Sequence, residues 1–370
     1  MERLQIFERL AARVDSAWEA KSYDPEAFAG ISADLVEEER GAIAFATRDP
    51  IETLRWASTA PWPEQVLDNG YGQATFALGR TPRLRVELIF WKDGIADVHG
   101  HVRPGIFSVL HGERMHASYD FDVKDSSTPG LHLGDLRLTN IELLGPGDLR
   151  KIEPDNRTIH SLVFLGRPCV TLSIRAANNP PWFFDSDHLF VDASVPRVSE
   201  KWLFKGYNLF VELRPEELVP LAKDVLLRKD VDVLFAKTLL SGLRPRLAHE
   251  DFVALRTIAR DRFGEWIDKL LVSSHEWLRR TVLAELLGDP AWERGPRMLL
   301  GLAWMSPDKN VARAFLERAY PGEDPIGLVD RWRVAITGPR SPSEEFAASL
   351  GMAPEDEVSA LLRQLRKRLA

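Results

Sequence analysis

Residues 84–113 read LRVELIFWKDGIADVHGHVRPGIFSVLHGE. The runs LRVELIFW and IFSVLHG have strand length and are rich in Val, Ile and Phe. Lys-Asp-Gly and Arg-Pro-Gly punctuate the stretch between them, as turn chemistry does. His99 and His101 stand in that stretch, two residues apart. On a strand, residues i and i+2 face the same side, so the two rings share one face.

Working outward, the same texture continues in QATFALG (73–79), RMHASYDF (114–121), LRLTNIELL (136–144), HSLVFLG (160–166) and CVTLSIRA (169–176). Short strands at this spacing leave no room for crossover helices and predict an all-β barrel or sandwich over residues 73–185. RAANNPPWFFDSD (175–187), with two prolines and two asparagines, is expected to end regular structure.

The flanks read differently. Leu4, Phe7, Leu10, Ala11 and Val14 are three and four apart, an amphipathic helix. One or two further helices are expected over 33–60, broken at Pro50, and APWPEQVLDNGYGQ (60–73) marks a boundary. Residues 1–72 thus form a helical N-terminal segment packing on the barrel. Residues 186–212 read as a linker. Residues 213–370 show helical spacing throughout, as in PEELVPLAKDVLLRK and HEDFVALRTIARDRF, with no fixed repeat period, and predict an all-α domain. The tryptophans of this region, Trp266, Trp277, Trp292, Trp304 and Trp332, are expected to build its core. The fold class is α+β multidomain: a β-barrel with a short helical segment before it and an all-α domain after it.

Composition bounds the function. The 370 residues are 45% hydrophobic and 28% charged, an ordinary globular mixture, with net charge −7. The acidity lies in the first 200 residues, which argues against a phosphate-binding surface and hence against nucleic acid. The last 30 residues have a helix–turn–helix look, but Glu355-Asp356-Glu357 would meet phosphates with like charge. No apolar run approaches the roughly 20 residues of a membrane span, and the N-terminus lacks a signal-peptide core. The one cysteine, Cys169, excludes an internal disulfide and fits a reducing compartment, so a cytoplasmic location is expected.

The chemistry gathers around the histidines. LLGPGDLRKIEPDNRTIH (143–160) brings His160 to the start of another apolar strand. Three neutral imidazoles can hold one divalent ion at about 2 Å and leave it several open positions. His-x-His by itself is a weak signal, and a barrel that holds no metal is the plain alternative.

These segments resemble the cupin superfamily. Its first motif sets a glycine before His-x-His and closes on another glycine; here Gly94, His99-Gly-His101 and Gly112 match. In its second motif a Pro-x-Gly precedes a histidine; here Pro154-Asp-Asn156 precedes His160, one residue late. The motif glutamate is absent, its place falling at Gly105. A three-histidine set without that glutamate is similar to the thiol dioxygenases of the cysteine dioxygenase and mercaptopropionate dioxygenase type. The likeness covers residues 75–176, about a quarter of the chain.

The resemblance implies a jelly-roll barrel and a metal at His99, His101 and His160. Fe(II) comes first among the metals, with Zn, Ni or Mn as alternatives. It implies a non-haem iron dioxygenase using dioxygen on a small thiol or carboxylate-bearing substrate, with Arg80 as the match for the arginine that binds the carboxylate. The branch's Ser-His-Tyr relay has no clean equivalent: Thr171 and Ser173 lie in the right strand, but no tyrosine follows. Arg157, three residues before His160, either reaches an anionic substrate or is solvated.

Other readings stay open. The barrel equally suits a non-catalytic sensor or scaffold whose helical domain binds protein or dimerises the chain, or an isomerase or hydrolase using another metal. His111 and His116 are either strand histidines or support for the metal site. Tyr119, Arg85, Glu87 and Arg175 are strand residues suited to lining the barrel; Arg85 and Glu87 share a face, and a cross-strand ion pair explains them as well as catalysis does. Cys169 reads as a buried inert thiol or a nucleophile. His132 and His188 look like loop residues, and His249 and His275 like helix starts.

Overall fold

The computed structural model describes residues 3–59, 72–92, 94–177, 181–192, 195, 214–288, 292–305 and 308–337. Four helices come first: α1 (Arg3–Glu19), α2 (Pro25–Glu38), α3 (Arg40–Ala46) and α4 (Pro50–Thr59). Pro50 opens a helix as well as ending the preceding segment, because a first-turn N–H has no intrahelical partner to lose. Pro25 likewise opens α2, behind Asp24, whose side chain accepts from the Glu26 N–H.

Eleven strands follow among the described residues: β1 (Ala74–Arg80), β2 (Leu84–Trp91), β3 (Ile95–His101), β4 (Gly105–His111), β5 (Arg114–Asp125), β6 (Leu131–Leu144), β7 (Leu149–Ile152), β8 (Ile159–Phe164), β9 (Cys169–Ala176), β10 (Pro181–Ser186) and β11 (Leu189–Asp192). Every expected strand is present. The stretch expected to stop regular structure instead carries β10, with Pro181 as its first residue, where a missing N–H costs little. β11 lies within the span read as a linker and pairs antiparallel with β6; His188 sits in the turn between β10 and β11, as expected of a loop residue. His132 is a strand residue of β6.

One sheet is open, in the order β1-β2-β9-β4-β7, and the other is closed, in the order β10-β11-β6-β5-β8-β3. Strand alternation divides the apolar residues of the open sheet between two cores. On β2, Leu84, Val86, Leu88 and Phe90 join one core with Phe7, Leu10 and Val14 of α1. Ile89 and Trp91 point the other way, into a second core with Phe107, Val109, Leu162 and Phe164. β9 divides likewise: Val170, Leu172 and Ile174 lie under the helices, and Thr171, Ser173 and Arg175 face inward. Gly79 allows α1 to approach β1: a Cβ there would lie 2.4 Å from the Phe7 carbonyl oxygen.

The remaining helices are α5 (Leu218–Leu226), α6 (Val233–Leu243), α7 (His249–Phe263), α8 (Trp266–Leu287), α9 (Arg294–Met305), α10 (Lys309–Ala319) and α11 (Pro325–Thr337). His249 starts α7 as expected; His275 lies inside α8, not at its start. Trp292 and Trp304 are buried, whereas Trp266 and Trp332 are half-buried. The helix–turn–helix look of the last 30 residues falls outside the described residues.

The chain divides into two compact units. One holds residues 1–120, 137–182 and 281–370, the other residues 121–136 and 183–280. In the second, Leu131, Leu133 and Leu189 share a core with Phe235, Leu239, Leu255 and Leu270 of the helices. In the first, α9 is buried along its length, and Gly301 brings it within van der Waals reach of Met115 on β5 and Val163 on β8. The helices after residue 213 are therefore shared between the units.

Candidate metal centre

The sequence of β8, Ile-His-Ser-Leu-Val-Phe, is buried at every position. Ser161 and Val163 face outward, towards α9 and Tyr119, whose hydroxyl lies 3.0 Å from Ser161 Oγ. His160 and Leu162 face inward. β3 pairs antiparallel with β8 and sets His99 directly opposite His160, after a register shift between Ala96 and His99. Directly opposed residues share a face, and His101, two further on, shares it too.

His99, His101 and His160 are thus brought together, each 2–4% exposed. His160 Nε2 lies 3.1 Å from His99 Nε2 and 3.1 Å from His101 Nε2. Ligands about 2.1 Å from one ion and near right angles lie about 3.0 Å apart, so the spacing matches a shared ion. Burial is the main cause that holds all three rings neutral: His99 is lowered to about 4, and His101 and His160 lie well below their ordinary value. A neutral imidazole is the form that binds a metal.

The outer nitrogens of His99 and His160 are held as well. His99 Nδ1 donates to the Asp97 carbonyl at 2.7 Å, leaving Nε2 bare. His160 Nδ1 lies 3.0 Å from His116 Nε2, and His116 Nδ1 lies 2.8 Å from Glu142 Oε1. Arg150 grips the same carboxylate with Nε at 2.7 Å and Nη2 at 2.5 Å. Burial acts to raise Glu142, but hydrogen bonds from Arg150 and His116 outweigh it and bring the carboxyl to about 2. An ionised Glu142 can only accept, so His116 Nδ1–H donates to it. His116 Nε2 and His160 Nδ1 share a hydrogen bond at 3.0 Å, which orients the His160 ring with its Nε2 towards the other two histidines. The three inward Nε2 atoms, two pairs of them 3.1 Å apart, crowd together in a buried pocket, an arrangement a cation relieves.

Of the two readings open for His116, the structure supports the second: it orients a metal ligand. Replacing it with Ala is expected to weaken metal binding about 10–100-fold. His111→Ala is the control, because His111 Nε2 donates instead to the Thr47 carbonyl. Competitive titration against a chelator measures both.

Ile89, Trp91, Ala96, Phe107, Ile152 and Leu162 wall the cavity beside the histidines. Its polar wall is Thr171, Ser173 and Arg175, every second residue of β9. The cavity volume is about 40 Å3, enough for about three waters. Glu87 is fully buried and binds Arg175 through Oε2, at 2.9 Å to Nε and 2.6 Å to Nη2. The cross-strand ion pair expected for this strand face is made by Glu87 of β2 with Arg175 of β9.

The two arginines expected to meet substrate lie elsewhere. Arg80 is exposed at the end of β1, opposite Arg85. Arg157 is half-exposed and binds Glu26 at 2.5 Å. Arg175 is the arginine that lines the cavity. Cys169 is fully buried off the cavity, its Sγ near the Gly166 and Glu113 carbonyls, and burial pushes the thiol up, as an inert thiol requires.

The buried histidines also set a pH dependence. Their folded-state values lie below the roughly 6.5 of an unfolded chain, so the unfolded state binds more protons between that value and about 4. Stability of metal-free protein therefore falls as pH drops through that window, by on the order of 3 kcal/mol from His99 alone. Denaturant unfolding of chelator-treated protein at pH 7 and pH 4.5 checks it; equal stabilities would show the rings to be solvated.

No family model and no curated protein matches the chain. Similar solved structures include hydroquinone 1,2-dioxygenase from Sphingomonas sp. TTNP3 (12% identity, 32% of this chain and 69% of that one, TM-score 0.24). A cupin-2 domain containing protein from Shewanella frigidimarina is 13% identical over 28% of this chain and 81% of that one, with a TM-score of 0.20. A DMSP lyase from Ruegeria pomeroyi is 18% identical over 39% and 67%, with a TM-score of 0.25. Proteins described as cupins are thus among the neighbours, and at such TM-scores they carry no weight for the reaction. Among the described residues no helix is long and apolar enough to cross a membrane.

Proposed function

We propose that the chain is a metal-dependent enzyme centred on His99, His101 and His160: a non-haem iron oxygenase acting on a small thiol or carboxylate-bearing substrate. The observation that carries the reading is the convergence of three neutral imidazole rings in a buried cavity, with His160 Nε2 3.1 Å from both His99 Nε2 and His101 Nε2. A bound iron(II) ion would supply redox chemistry with dioxygen; imidazole donors suit Zn and Ni as well, and iron is preferred over them and over Mn through the resemblance alone.

The chain's own residues do the rest. Three neutral ligands leave the ion's charge uncompensated, which favours an anionic substrate group such as a thiolate or carboxylate. Arg175 takes the orienting role that the resemblance assigned to Arg80. Glu87 keeps its guanidinium aimed along the wall. Ile89, Trp91, Phe107, Ile152 and Leu162 exclude water from the reacting group. The small cavity limits the substrate part inside it to a few heavy atoms.

Oxygen uptake by iron-loaded protein over a panel of small thiols and small carboxylates tests the reading. Uptake with one of them, lost in His99→Ala, is expected. No uptake with any member removes the oxygenase assignment even where iron is bound.

A further inference from the structure

Arg114 is fully buried, and among the described residues it has no carboxylate partner. Its Nη2 meets the carbonyls of Val170 (3.3 Å) and His111 (3.4 Å), its Nε has no partner, and its guanidinium lies 5.2 Å over the Phe164 ring. Burial lowers it to about 10, so it is charged at neutral pH. A buried, uncompensated cation is costly and calls for an explanation.

Its remaining contact supplies one. Arg114 Nη1 donates to Thr171 Oγ1 at 2.5 Å, and Trp91 Nε1 donates to the same oxygen at 2.9 Å. Guanidinium and indole N–H groups can only donate, and a hydroxyl has two acceptor positions and one proton. Both acceptor positions are therefore filled, and Thr171 can only donate. Among the described residues its proton finds no acceptor, and Thr171 lines the cavity beside the histidines, with Ser173 and Arg175 next along the same face. The Arg114 charge further polarises the O–H.

We propose that Thr171 is a specificity-determining residue: a hydrogen-bond donor fixed by Trp91 and Arg114 and aimed into the cavity, where it selects a ligand carrying an anionic oxygen, a small carboxylate. Glu87 neutralises Arg175, so the excess positive charge at this wall is that of Arg114, and it reaches the ligand through the Thr171 hydroxyl. The inference deepens the proposed function by naming the substrate group, and it rests on that reading for the identity of the site.

The test uses metal-free full-length protein, so that a carboxylate cannot bind through an ion. NMR titration with acetate and with the neutral acetamide gives the dissociation constants. Acetate is expected to bind about tenfold or more tighter than acetamide, the worth of one hydrogen bond to a charged group. Thr171→Ser is expected to retain this preference. Thr171→Val, which keeps the shape and removes the hydroxyl, is expected to lose it. Equal binding of the two ligands by the unaltered protein, or a preference unchanged in folded Thr171→Val, overturns the proposal. Should Thr171→Val fail to fold, the acetate-to-acetamide ratio in the unaltered protein and in Thr171→Ser still decides. Metal content measured on the same preparations separates the two readings: acetate preference without metal binding sinks the enzyme, and metal binding without acetate preference sinks only the Thr171 role.

Discussion

His160→Ala is expected to abolish tight metal binding, with a loss exceeding the roughly 100-fold upper range for removing an outer-shell partner. His160 is the middle of the cluster: its Nε2 makes both 3.1 Å contacts, and its Nδ1 carries the link to His116, Glu142 and Arg150. The substitution thus removes one ligand and disconnects the group that orients it. Unaltered protein should gain about 2.7 kcal/mol of stability when free metal is a hundredfold above its dissociation constant. His160→Ala should gain almost none, while His111→Ala should gain as the unaltered protein does. Thermal unfolding with and without added metal reads the difference, and an undiminished gain in His160→Ala would place the ion elsewhere.

Glu87→Ala is expected to cost about 3–5 kcal/mol of unfolding free energy, the price of breaking a buried ion pair from one side. Glu87 is fully buried and the Arg175 side chain is 11% exposed, so the guanidinium left behind cannot recover its hydration. Its positive charge, no longer balanced, also acts on the nearby rings: Arg175 already lowers His99 and His101. Metal affinity should therefore fall as well. Replacing both partners, Glu87→Leu with Arg175→Met, should restore most of the stability. Denaturant unfolding of the two single variants and the pair provides the double-mutant cycle. Additive losses would show that the two groups do not interact.

The strands of the barrel and the histidine trio were legible because their signals are local. Val, Ile and Phe runs cut by Gly and Pro mark β1, β2, β4, β8 and β9, and His-x-His on a strand must share a face. β3 carries that pair in IADVHGH, too polar to read as a strand by itself, and it emerges through its pairing with β8. The misplaced arginine has a physical cause. Alternation puts Arg175 on the face of Thr171 and Ser173, but only the packing of the sheets shows that this face is the inner one. Arg80 ends β1 at the margin of the open sheet.

β5 misleads in a second way. Its alternation separates Met115, Ala117 and Tyr119 from Arg114, His116 and Ser118. The apolar set would normally mark the core face. Here Met115 packs beneath α9, while Arg114 and His116 point into the barrel, where Thr171 and His160 receive them. Outward-facing apolar residues and inward-facing polar ones were a usable signal for His116. Glu142 and Arg150 lie 26 and 34 positions further on, and no sequence period connects them to it. The sharing of helices between two units was hidden for the same reason: Gly301 meets Met115 and Val163 across more than a hundred residues of chain.

Metal analysis of the full-length protein, purified without a histidine tag from iron-supplemented cells and followed by X-ray absorption at the metal edge, tests the central claim most directly. About one ion per chain, with three imidazole nitrogens near 2.1 Å that fall to two in His99→Ala, is the predicted result. Absence of a stoichiometric ion after loading, or an ion whose ligand set is untouched by His99→Ala, would contradict it.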